Sequence, residues 1–222
     1  MFAILRSYLS CETMLISLLF QNPGVFFGWV IALLLSISFH EFSHAFAANA
    51  LGDKTPKYEG RLTLNPLAHL DPMGTVLLIL VGFGWGKPVP FNPYNLKYHR
   101  FGPAIVSLAG PIANFILVLF FVAVLKVLQI SGLNSDAVTQ LFVIIIILNT
   151  VLMLFNLIPL APLDGSKVLY SFLPASLSDL PAKMEQYGPY ILLGLILIDN
   201  IFNIGIFQGI YNFGLHVVSR VL

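Results

Sequence analysis

Long uncharged runs alternate with short polar stretches along this chain. Residues 13–40, 101–125 and 137–163 contain no Asp, Glu, Lys or Arg. A helix needs roughly 20 apolar residues to cross a bilayer, so each run predicts a span, the first from Val25 onward. Residues 72–86 are also apolar but too short for a comfortable crossing. They are rich in glycine (Gly74, Gly82, Gly84, Gly86) and close with Lys87-Pro88-Val89-Pro90. Non-helical backbone at membrane depth needs cover from protein or a water-filled cavity, which predicts a re-entrant or interfacial segment. Residues 59–64 alternate like a strand and 85–91 read as a second extended piece, together either a strand edge for an extended substrate or an amphipathic loop resting on the headgroups. Towards the C-terminus, 186–198 and 200–219 are uncharged, with Asp199 and Asn200 between them, read as a surface turn in preference to the lining of a substrate gate. They predict either a fourth span followed by an interfacial helix or a short helical hairpin. Near the N-terminus, Arg6 precedes an apolar run with no small-residue cleavage site. A removed signal peptide is therefore the weaker reading there, and Met14 is an alternative start.

The predicted fold is an all-α integral membrane protein. It is a helical bundle of about four to six transmembrane segments, with a short re-entrant or β-like membrane-associated segment after the first core helix. With no internal repeat or soluble module visible, residues 1–222 form one domain, with a catalytic core over about 25–170 and C-terminal helices over about 186–220.

Composition narrows the class further. Hydrophobic residues make up 58% of the 222 and charged ones 9%, against about 25% charged in soluble domains. The mean hydropathy is +0.89. A net charge of +1 offers no basic patch for nucleic acid. Cys11 is the single cysteine, which excludes an intramolecular disulfide framework and a multi-cysteine zinc site. Six of the eleven Lys and Arg (Lys54, Lys57, Arg61, Lys87, Lys97, Arg100) lie within 51–102, and Lys167 and Lys183 follow the third span. By the positive-inside rule these segments face the cytoplasm and the 129–136 loop faces outward.

The first span ends in ionisable residues, which a membrane helix normally avoids and which are functional candidates by default. In His40-Glu41-Phe42-Ser43-His44 the two histidines are four apart, on one face of a helix. Two imidazoles so placed can hold one zinc ion, with Glu41 in reach of a water on it. Catalytic zinc usually takes a third protein ligand. His69, His99, His216 and the carboxylates are candidates, and Asp164 stands out. It follows Asn156-Leu157-Ile158-Pro159-Leu160-Ala161-Pro162-Leu163, where two prolines break the third span. The first and third spans run in the same direction, so His44 and Asp164 reach the same depth. An Asp-Gly pair is otherwise an ordinary turn.

His40-Glu41-x-x-His44, Asn156-x-x-Pro159 leading to Leu163-Asp164-Gly165, and Gly110-Pro111-Ile112-Ala113-Asn114 occur in that order. The chain resembles the site-2 protease family of intramembrane zinc metalloproteases in all three. The resemblance implies that His40, His44 and Asp164 bind one Zn2+ and that Glu41 is the general base. It implies that Asn156 steadies the substrate or the developing oxyanion, and that Asn114 helps to position the substrate backbone. The implied substrate is a transmembrane-helix protein within the lipid bilayer of the cell membrane, cut towards the cytoplasmic side. The chain departs from many members in lacking room for a PDZ or CBS domain.

Two other classes compete with the protease. One is a non-catalytic zinc-binding membrane protein, against which Glu41 stands, because structure alone does not require an acid there. The other is a divalent-metal transporter, which usually shows an inverted repeat or a second ligand set. Asn149 reads as a hydrogen-bonded contact to a neighbouring helix. Trp85, Tyr94 and Tyr98 suit an interfacial aromatic belt.

Overall fold

The computed structural model describes residues 15–81, 84–202 and 204–221. The expectations for Arg6, Cys11, Met14 and Gly82 lie outside these residues. The described elements are all helical: α1 (Leu15–Gln21), α2 (Pro23–Ala50), α3 (Thr55–Tyr58), α4 (Pro72–Val81), α5 (Gly102–Ile130), α6 (Asp136–Asn156), α7 (Asp164–Phe172), α8 (Leu180–Phe202) and α9 (Ile206–Val221). Among the described residues, α2, α5 and α6 are long and apolar enough to cross a membrane. The chain is an all-α membrane protein.

Local signals set the helix limits. Asn22 caps α2, accepting from the Val25 amide at 3.3 Å, with Pro23 in the first turn. Ser135 caps α6 in the same way, accepting from Val138. The third uncharged run extends to Leu163, but α6 stops at Asn156, because Pro159 and Pro162 cannot supply helical amide donors. The short return over 157–163 leads directly into α7.

α2, α5 and α6 pack against one another. Gly28 on α2 lies against Leu141 and Ile144 of α6, and Ser36 meets Asn149 eight residues further along α2. These two helices therefore run parallel. His40 meets Asn114 and His44 meets Val106, so α5 runs antiparallel to them. One half of this trio is apolar, with Val25, Ala32, Val122, Leu125 and Val143–Ile147 buried together with Leu18 of α1 and Val218 of α9. The other half holds the buried polar residues. Between lipid-soluble helices burial of apolar area drives little, so close packing and interhelical hydrogen bonds hold the trio.

α4 has ten residues and is about 15 Å long, half the hydrocarbon thickness of a bilayer. Leu70 and Gly86 then form an antiparallel bridge, and the Lys87 amide donates to the His69 carbonyl at 2.8 Å. The excursion leaves and returns at one place. Its glycines permit this: a Cβ on Gly84 would stand 2.6 Å from the Leu78 Cβ.

Two local expectations need correction. Residues 59–64 form no strand, because Glu59 closes α3 and Gly60 turns the chain with φ +68. Arg61, in the middle of the apparent alternation, turns inward and is 4% exposed. It donates to the Ala68 carbonyl and, at 2.9 Å, to the Pro88 carbonyl. Asp199-Asn200 is not a turn either. α8 runs through both to Phe202, and the break comes around Gly205 with φ +83, the left-handed geometry glycine supplies at helix ends. α9 then packs on α6, with Gly214 facing Thr150, Val151 and Leu154.

Candidate metal centre

Helical repetition builds the site. Ala32, Ser36, His40, His44 and Ala48 succeed one another at intervals of four on α2, and all are buried. They form one stripe, since residues four apart share a helix face. α5 faces it with Val106, Gly110 and Asn114, also four apart and buried. A Cβ on Gly110 would lie 2.6 Å from both the His40 and His44 Cε1 atoms, so only glycine lets the two rings lie against α5.

Each ring is held from behind. The His40 Nδ1 stands 2.5 Å from the Asn114 Oδ1, and the His44 Nδ1 stands 2.7 Å from the Val106 carbonyl. Both oxygens only accept, so each Nδ1 carries a proton and each ring turns its Nε2 to the same point. The two Nε2 atoms are 3.1 Å apart. α7 brings the third group: the Asp164 Oδ2 lies 3.2 Å from the His40 Nε2 and 3.3 Å from that of His44. Gly165 allows this approach, because a Cβ there would strike the backbone of Leu157 and Ile158.

Three potential ligand atoms thus converge on one point, and the buried Asp164 Oδ2 has no hydrogen-bond partner there. A cation at that point would meet all three. Zinc bonds nitrogen and oxygen at about 2.0–2.2 Å in a tetrahedron, whose ligand atoms stand about 3.3–3.5 Å apart. The observed triangle, with edges of 3.1–3.3 Å, fits one face of it. His40, His44 and Asp164 are the one group of metal-capable residues found among the described residues.

The comparisons point to the same metal. Residues 129–198, from the end of α5 through most of α8, match Peptidase family M50. YwhC of Bacillus subtilis, named as a candidate zinc metalloprotease, is 41% identical over 173 residues, covering 76% of this chain and 79% of YwhC. The chain belongs to peptidase family M50. Rip2 of Mycolicibacterium smegmatis, named likewise, is 30% identical over 201 residues, covering 86% of this chain and 74% of Rip2. Rip2 of Mycobacterium tuberculosis H37Rv is 31% identical over 187 residues, covering 78% of this chain and 68% of that protein. No solved structure matches. For this M50 peptidase, kinship and donor set both point to zinc as the cofactor.

The remaining candidates take other places. Glu41 is half-buried beside the metal face, and a Cβ on Gly86 would lie 3.9 Å from its Oε1. The returning segment after α4 therefore passes over this carboxylate. Asn156 closes α6, half-buried, its amide donating to the Leu152 carbonyl at 3.1 Å. It is not among the converging residues. His69 is buried in the connector with its Nε2 against the Thr63 carbonyl at 2.8 Å. His99 is exposed, and His216 lies on α9.

Asn114, expected to help position substrate, is fully buried with its side chain bonded to His40. Ser36 was assigned no role by sequence reasoning, although its place in the four-residue stripe with His40 and His44 carries the signal.

Proposed function

We propose that this M50 peptidase is an intramembrane zinc metalloprotease that hydrolyses peptide bonds within or near transmembrane helices of membrane-protein substrates. The observation that carries the reading is the triangle of potential ligand atoms at 3.1–3.3 Å between spans and return. His40, His44 and Asp164 hold the ion. Zinc supplies a Lewis acid that polarises a carbonyl and makes water acidic near neutral pH.

Glu41 takes the proton of the attacking water and passes it to the departing amine. Its half-buried position suits both tasks, since it must meet water and still lie close to the donor triangle. Asn156 offers an amide towards the oxyanion, exchanging its bond to the Leu152 carbonyl for one to substrate. A substrate helix must unwind before its carbonyl can be attacked, and an extended stretch can then lie along the 84–91 segment beside Glu41. Pairing with such an edge is a common mode of peptide recognition. With Lys54, Lys57, Arg61, Lys87, Lys97 and Arg100 all between α2 and α5, the site opens to the cytoplasmic side of the cell membrane. Residues 1–222 act as one domain.

The test is cleavage of a transmembrane peptide by purified protein reconstituted with zinc. Wild type should cut, while Glu41→Gln should bind zinc and not cut. Zinc binding without cleavage of several helical substrates by the wild type would favour a non-catalytic metal protein. Metal flux into proteoliposomes that survives Glu41→Gln would favour a transporter.

A further inference from the structure

The bond from His40 to Asn114 is the first link of a longer chain. The Asn114 Nδ2 donates to the Asn149 Oδ1 at 2.7 Å. The Asn149 Nδ2 donates to the Ser36 Oγ and to the Ile145 carbonyl, both at 2.8 Å. The Ser36 hydroxyl donates to the Ala32 carbonyl at 2.6 Å. Ser36, Asn114 and Asn149 are each 0% exposed, so water supplies none of these partners. The chain runs from α2 through α5 and α6 and back to α2.

Its direction is forced. Backbone carbonyls of Ala32 and Ile145 accept only. The single Ser36 proton goes to Ala32, so Ser36 must accept from Asn149. Both Asn149 amide protons are then committed, which turns its Oδ1 to Asn114. Asn114 must answer with its NH2 and present its own Oδ1 to His40. That oxygen cannot donate, so His40 carries its proton on Nδ1. His44 needs no such chain, because the Val106 carbonyl meets its Nδ1 directly.

We propose that Asn149 and Ser36 are positioning residues that, through Asn114, lock His40 in the Nδ1–H tautomer with its bare Nε2 aimed at the metal. This rests on the zinc reading above. Partners behind a metal-binding histidine typically contribute 10–100-fold in metal affinity, and here the contribution passes through two amides and a hydroxyl.

The experiment compares full-length wild type with Asn149→Leu, Ser36→Ala and Ser36→Thr in nanodiscs. Nitrogen NMR of metal-free protein labelled in its histidine rings reads the tautomer, with His40 signals assigned by their loss in His40→Gln. Competition against a chromophoric chelator reads zinc affinity. Wild type should show a full proton on His40 Nδ1. Asn149→Leu should mix the two tautomers at His40, leave His44 unchanged, and weaken zinc binding about 10–100-fold. Ser36→Ala should move both readouts the same way by less, and Ser36→Thr, which keeps the hydroxyl, should restore them.

An unmixed His40 tautomer with wild-type zinc affinity in Asn149→Leu would overturn the proposal. If that variant does not fold, identical His40 signals in Ser36→Ala and wild type would do the same. If wild type binds no zinc, the metal reading fails separately, and the metal-free spectra still decide the relay.

Discussion

The three-helix centre and the connector between α2 and α5 bury polar groups by opposite means. In the centre, polar side chains sit at four-residue intervals on long helices and meet across helix contacts, as His40 meets Asn114 and Asn149 meets Ser36. Backbone there is already satisfied, so side chains are free to face one another and a metal. In the connector, charged side chains replace missing secondary structure. Arg61 holds the Ala68 and Pro88 carbonyls, while Asp53 accepts from the Thr55 amide and hydroxyl, the Asn92 amide and the Asn95 side chain. The centre should therefore fail through geometry, and the connector through lost backbone partners.

The largest effect expected is at the centre. Structural zinc sites contribute about 10–16 kcal/mol over four donors, or roughly 2.5–4 kcal/mol each, so Asp164→Ala should weaken zinc binding about 60–1,000-fold. Zinc competition checks this, and helical circular dichroism should be unchanged.

Gly110→Ala sharpens the point, because it removes no donor. Its methyl would press on both histidine rings, and overpacking costs about 1–3 kcal/mol, so zinc affinity should fall about 10–100-fold. An unchanged affinity would show that the rings have room to move.

Arg61→Ala tests whether the connector is independent. Two carbonyls would lose a buried donor at about 1–3 kcal/mol each. The segment 51–101 should become protease-sensitive and peptide cleavage should weaken, because Arg61 steadies the backbone that passes over Glu41. Zinc affinity should stay within about threefold of wild type. A fall as deep as that of Asp164→Ala would abolish the distinction between the two regions.

The smallest effect concerns acid. Burial alone would raise the Asp53 carboxyl, but hydrogen bonds from Thr55, Asn92 and Asn95 outweigh it and hold the group below its ordinary 3.8. A carboxyl depressed on folding adds stability above its unfolded value and loses it as pH falls through the folded one. Thermal melts between about pH 6 and pH 3 should show this loss in wild type, and Asp53→Asn should flatten it while costing on the order of 1–2 kcal/mol at neutral pH.

Legibility in the sequence differed by region in the same way. The ends of the third span, Asn156 and Asp164, could be read from Pro159 and Pro162, and the histidine pair from its spacing. Residues 59–64 misled, because alternation says nothing about a side chain such as Arg61 that turns inward to replace a ladder. Asp199 misled because one acid in a helix's last turns is tolerable, while the positive φ needed for the break was supplied at Gly205.

Charge-free runs and the helical repeat are local, so the amino-acid order alone determined three membrane-length helices, the shared face of His40 and His44, and a carboxylate at the broken end of the third. Which atoms stand behind those rings depends on the register of helices whose contacts are 35 to 113 residues apart in sequence. No local rule sets that register. Packing around Gly110 and the buried amides decided it, and with it the donor nitrogen that His40 turns to the metal.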